Sequence, residues 1–144
     1  MDWRTGEGLI GCDEPDEVDM AFDRGEPYVG VAVIGLALNV LDVDVVAPRA
    51  IRALSSDARE TRGQGLTALS HMARLNGKVD AVSVEMLRAL LKDPEYREIA
   101  ANYATDIWIY VPHRDVPMWL RWWSYKFVIR HRLAIWWWSI HRRG

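Results

Sequence analysis

A helix-pair pattern recurs along this chain after about 35 residues, and it restricts the fold to arrays whose neighbouring units bury each other's apolar faces. Ile51–Leu54 reads IRAL, and Leu87–Leu90 reads LRAL 36 positions later. Each closes an apolar helix and is followed by a short polar turn, SSD at Ser55–Asp57 and KDP at Lys92–Pro94. The next helix then opens with charge, RETRG at Arg59–Gly63 and EYREI at Glu95–Ile99. A fixed period of about 20 to 50 residues marks a repeat array in which no single unit folds alone.

Apolar spacing and breaker residues predict six helices before Pro112. Glu14–Phe22 forms the first, with Pro15 in its first turn and Val18, Ala21 and Phe22 on one face. A turn at Asp23–Pro27 leads to Tyr28–Leu41, which is apolar almost all round and so buried on most sides. Asp42 or Asp44 caps a third helix carrying Val46, Ala50, Ile51 and Leu54, with Pro48 in its first turn. Asp57 caps a fourth that runs to Leu75 and ends at Asn76-Gly77, with Leu66, Leu69, Met72 and Ala73 inward. Asp80 opens a fifth with Val84, Leu87, Leu90 and Leu91, and Asp93-Pro94 opens a sixth that reaches Tyr110. Loops of about two to five residues make these antiparallel neighbours. Residues 1–13, glycine-rich and polar, read as a loose lead-in to a repeat domain that ends at residue 111, and residues 112–144 as a separate C-terminal element.

At 144 residues the chain supports one continuous core. Its formal charge of -2 hides a strong gradient. Residues 1–47 hold 11 acids and 2 bases, residues 48–111 hold 8 and 9, and residues 112–144 hold 1 and 7. Either the two ends neutralise each other or each faces a charged partner. The single cysteine, Cys12, forms no internal disulfide, which fits a reducing cytoplasm, and the neighbouring Asp13 and Glu14 disfavour a thiolate. No charged-then-apolar signal peptide opens the chain, and the longest apolar run, Tyr28–Leu38, is too short to span a bilayer.

Three segments, PYVGVAVIGLALN (Pro27–Asn39), RGQGLTALSHMARLNGKVD (Arg62–Asp80) and ATDIWIYV (Ala104–Val111), resemble small bacterial HEAT-like proteins. That family carries a glycine–histidine–leucine–alanine–arginine motif, which stands here as Ser70, His71, Met72, Ala73 and Arg74, and a later element that stands as Ala104, Asp106 and Ile107. The resemblance covers roughly residues 14–111, and residues 112–144 have no counterpart in it. Several such proteins look like immunity proteins of polymorphic toxin and contact-dependent growth inhibition systems. The resemblance therefore implies an all-α, HEAT-like α-solenoid of three helix pairs that binds a cognate toxin and covers its active site, with no catalysis and no cofactor.

His71 and Asp106 occupy matching positions in successive repeats and meet either as an acid/base pair or as a polar contact that fixes helix register. With no nucleophile matched to them, the polar contact is the expectation. The four histidines are scattered and lack metal-ligand spacing, and Gly6, Gly8 and Gly11 lack the lysine and strand of a phosphate loop. The acidic cluster Asp13, Glu14, Asp16, Glu17, Asp19, Asp23 and Glu26 exceeds what a helix N-terminus needs. It suits a basic toxin, a nuclease among the candidates, because a nuclease presents cations to a polyanion. Nucleic acid itself is opposed by this acidic half. The tail Pro117–Arg143 holds six of the eight tryptophans, Trp122 and Trp136 among them. It reads as a cap on the open end of the solenoid, as a helix in a membrane interface, or as a partner contact in which Trp122 and Trp136 anchor. The alternative function is thus a peripheral membrane scaffold docked by its Trp/Arg-rich helix.

Overall fold

A computed structural model describes residues 1–142, which are helical throughout: seven α-helices and two short 3-10 turns, with no strand among the described residues. The helices are α1 (Pro15–Arg24), α2 (Val29–Asn39), α3 (Val43–Leu54), α4 (Arg59–Asn76), α5 (Ala81–Leu90), α6 (Arg97–Tyr110) and α7 (Met118–His141). Arg143, the last residue of the expected tail element, lies outside the described residues.

The helices pack in two rows. In one row α1 touches α3 and α3 touches α5; in the other α2 touches α4 and α4 touches α6. Within each pair, α1 meets α2, α3 meets α4 and α5 meets α6. Helix α4 is the middle of the structure, and its inward face is Leu66, Leu69, Met72 and Ala73, all fully buried. Val33 and Leu36 of α2, Val46 and Ala50 of α3, and Tyr103 and Ile107 of α6 complete the same core. Small residues let these helices approach closely. A Cβ built on Gly65 would lie 2.9 Å from the Ala50 carbonyl oxygen and 3.0 Å from the Ala53 methyl, so α4 can sit on α3 only without a side chain there.

Caps agree with the sequence in part. Asp42 caps α3, its carboxylate accepting from the Asp44 amide, and Asp80 caps α5 by accepting from the Ser83 amide at 2.7 Å. With Asp42 as the cap, Pro48 is the sixth residue of α3 rather than part of its first turn, and it withholds the amide that the Asp44 carbonyl would accept. Ala58, not Asp57, precedes α4 and supplies no side-chain cap. Asp93 accepts from the Glu95 amide at 2.9 Å, but the regular helix begins only at Arg97, after a turn through Pro94.

Two expectations are corrected. The lead-in 1–13 is not loose: Leu9 is fully buried and Cys12 is buried beside it, because Gly8 turns the chain back onto α2. Asn39 at the end of α2 fastens it, donating to the carbonyls of Ile10 at 3.1 Å and Gly35 at 2.7 Å. The tail does not act as a full cap: it meets the core only with its first turns, where Leu120 and Ser124 are buried. Every described residue from Tyr125 onward is exposed, so most of α7 projects beyond α6.

Candidate functional site

The acidic cluster surrounds α1. Glu14 sits at the N-cap without a side-chain bond, and Asp16 and Glu17 fill the first helical turn, where the helix dipole favours negative charge. Four of the seven acids are held by arginines. Asp19 grips Arg49 of α3 through both oxygens, at 3.1 and 2.6 Å, and Asp23 meets Arg52 of the same helix at 2.8 Å. Arg24 bridges Glu17 and Glu26 at 3.0 Å each. The acids are thus met by α3 and by their own helix, and no ion pair joins them to the basic tail among the described residues. Asp13, Glu14 and Asp16 remain exposed without an ion-pair partner among the described residues.

Cys12 is buried next to this cluster, its thiol 3.9 Å from the Glu14 carbonyl oxygen. Burial chiefly pushes its pKa up, and the charges of Asp13, Glu14 and Glu17 add to the shift, so the thiol stays protonated.

His71 and Asp106 come together between the C-terminal halves of α4 and α6, both half-buried. Arg74 approaches His71 through Nη2 and Nδ1, 3.2 Å apart. Burial first, then Arg74, lowers the His71 pKa, and the Asp106 charge opposes them. Burial raises the Asp106 pKa, against the stabilising Ser70 hydroxyl, Arg74 and His71. The Ser70 oxygen is buried and completes no full hydrogen bond, so its hold on the carboxylate is weak. The group is a small polar cluster on the helix seam. Among the described residues no three His, Cys, Asp or Glu side chains are grouped to hold a metal ion.

Sequence reasoning missed a second polar contact in the core. The Ser83 hydroxyl lies 2.9 Å from the buried Tyr103 hydroxyl and 2.5 Å from Asp80 Oδ1, so the α5 cap reaches through the core to α6. Burial above all raises the Tyr103 pKa far beyond its usual value, so the hydroxyl remains neutral. The signal was the spacing of Asp80 and Ser83, an N-cap and its third following residue.

Helix α7 carries the largest exposed apolar surface. Met118, Trp122, Tyr125, Ile129, Leu133, Trp136 and Ile140 recur at steps of three and four residues and are between 48 and 63 % exposed. On a regular helix they form one stripe about 80° wide. Trp122 and Trp136 therefore lie on a single face, about 21 Å apart along the axis. On the side toward α6 a groove of about 320 Å3 is lined by Thr105, Trp108, Trp123, Phe127, His131 and Ile135. Trp108 closes its base, stacked on His113 at 4.3 Å and edge-on to Tyr125 at 5.1 Å. No helix is long and apolar enough to cross a membrane among the described residues.

Comparison of the chain with protein-family models, with curated proteins and with solved structures gives no match.

Proposed function

We propose that the two helix rows form a short HEAT-like solenoid and that the chain is an immunity protein, binding a cognate bacterial toxin in the cytoplasm and covering its active site without chemistry of its own. The order α1–α3–α5 and α2–α4–α6 supports the solenoid, since stacked helix pairs give that adjacency. The observation that carries the binding surface is the separation of the acids into two sets. Four are neutralised by Arg24, Arg49 and Arg52, whereas Asp13, Glu14 and Asp16 stand exposed together where α1 begins. A basic toxin domain, a nuclease being the best fit, approaches this end under electrostatic steering, and the acids occupy cations that would otherwise hold its polyanionic substrate.

A pull-down from the native organism with the full chain as bait, read by mass spectrometry, tests this. A stoichiometric partner that forms the C-terminal part of a large secreted protein is the expected result. Recovery of an acidic partner, or of no protein, overturns the reading.

A further inference from the structure

We infer that α7 docks in the plane of an anionic lipid bilayer, an activity separate from toxin binding and independent of it. The charge here suits an anionic partner. Between Met118 and Arg142 the chain has no acidic residue and five cations, Arg121, Lys126, Arg130, Arg132 and Arg142. On this reading Trp122 and Trp136 anchor the chain to an anionic surface.

The arrangement of the cations identifies the occupant. Taking 100° per residue, Arg132 lies on one flank of the Met118–Ile140 stripe, in line with Arg121, whose guanidinium is held by the Val116 and His113 carbonyls, and Lys126 and Arg130 lie along the other. An apolar stripe edged on both sides by long cationic side chains is what a helix lying in a bilayer interface presents. The stripe enters the acyl boundary while lysine and arginine stems follow the surface and place their charges among the phosphates. Tryptophan is the side chain most at home at that depth. The groove residues Trp123, Phe127 and Ile135 lie on the opposite side of the helix, toward α6, and are not part of this surface.

Other occupants fit less well. A second copy of α7 would bring two all-cationic edges together with no acid to offset them. Crossing the bilayer is opposed because Lys126, Arg130 and Arg132 fall in the middle of the helix. The centres of the two tryptophan clusters, 119–123 and 136–138, also lie only about 24 Å apart, short of the roughly 30 Å between the two interfaces of a bilayer. Single-stranded nucleic acid would need successive stacked bases, and the exposed tryptophans of this stripe are separated by three helical turns or more.

The test is flotation of the full chain with vesicles of phosphatidylcholine alone and with about 30 mol % phosphatidylglycerol, at low and high salt. Binding to the anionic vesicles is expected to exceed that to neutral ones by roughly tenfold or more, to weaken with salt, and to shift tryptophan fluorescence to the blue. The variant Lys126→Glu/Arg130→Glu/Arg132→Glu is expected to lose that preference. These side chains are exposed, and circular dichroism reports whether the helix persists. Should that variant lose helix, Trp122→Ser/Trp136→Ser, which leaves every charge in place, is expected to weaken flotation while keeping the salt dependence. Equal binding to both vesicle types, or unchanged binding by both variants, means unspecific apolar adhesion and overturns the proposal. So does the absence of flotation from a chain that elutes as a dimer, or a preference for single-stranded RNA over vesicles.

Discussion

Gly35 has no room for a methyl group. A Cβ there would lie 2.4 Å from the Leu9 carbonyl oxygen and 2.8 Å from that of Ile10, both backbone atoms with no freedom to swing aside. The N-terminal turn is thus fitted directly onto α2, and Gly35→Ala has to push it off. We expect a loss of about 2–4 kcal/mol in urea unfolding, against less than about 0.5 kcal/mol for Gly11→Ala, where nothing lies within 4 Å. Equal stabilities for the two variants would contradict the close fit. His71 gives a second expectation at this scale. Its folded pKa is depressed below the unfolded value of 6.5, chiefly by burial and then by Arg74. A depressed pKa contributes stability that is present above 6.5 and is lost as the pH falls through the lower folded value, because the unfolded chain takes up the proton first. Asp106 acts in the opposite sense. Its folded pKa is raised above 3.8, so its contribution is complete below 3.8 and is lost as the pH rises through the folded value. Between about pH 8 and pH 5.5 the His71 effect is the one to follow, and the melting temperature should fall more in the native chain than in His71→Gln. Parallel pH profiles would show that the seam between α4 and α6 does not carry this linkage.

Elements differ in how plainly the sequence announces them. Helix α4 was legible because Leu66, Leu69, Met72 and Ala73 keep a helical spacing and Gly77 follows it, and all four prove to be buried. Helix α5 was legible from Asp80, which caps it. The N-terminal turn was not, since three glycines and a run of polar residues carry no period, and only Leu9 reaches the core. Its burial depends on a distant acceptor arrangement around Asn39 that no local pattern encodes. The acidic cluster was legible as a cluster, but its division into held and free acids was not. That division is set by Arg49 and Arg52, 30 and 29 residues from their partners. For α7 the tryptophans marked the tail 117–143 off from the rest, while its placement depended on what the rest of the chain left uncovered. Only Leu120 and Ser124 are buried along it, and Arg121 ties its start to the loop by donating to the carbonyls of Val116 and His113. The element therefore has an attached segment and a free one. Leu120→Ala should cost about 2–5 kcal/mol in chemical denaturation, the usual range for emptying a core site. Trp138→Ser, at 66 % exposure, should leave stability within about 0.5 kcal/mol. A large loss from Trp138→Ser would place the second half of α7 against the core.

Across the whole molecule charge is sorted from one end of the chain to the other, and the ion pairs decide which part of it is available to a partner. The first 47 residues carry 11 acids and 2 bases, yet Glu17, Asp19, Asp23 and Glu26 are engaged within the fold. A pair such as Asp19–Arg49, two-pronged and with the arginine largely covered, contributes to holding α1 on α3 and has less field left to attract a ligand. Asp13, Glu14 and Asp16 have no such tie, so their field extends into solvent and weakens with salt over about 10 Å. Two sets of reversals separate these roles. Asp13→Lys/Glu14→Lys/Asp16→Lys should slow association with the recovered toxin by roughly tenfold or more at low salt, with a smaller effect at high salt. Its melting temperature should change little, because only Asp16 is in the first helical turn, where dipole stabilisation is worth about 0.3–1 kcal/mol. Asp19→Lys/Asp23→Lys should show the reverse, lowering the melting temperature as α1 loosens from Arg49 and Arg52 and changing the low-salt on-rate less. Stopped-flow association at two salt concentrations, together with thermal unfolding, distinguishes the outcomes. If the first variant binds at the native rate, steering does not come from the free acids. If the second slows association more than the first at unchanged stability, the toxin displaces the internal arginines and pairs with Asp19 and Asp23 itself.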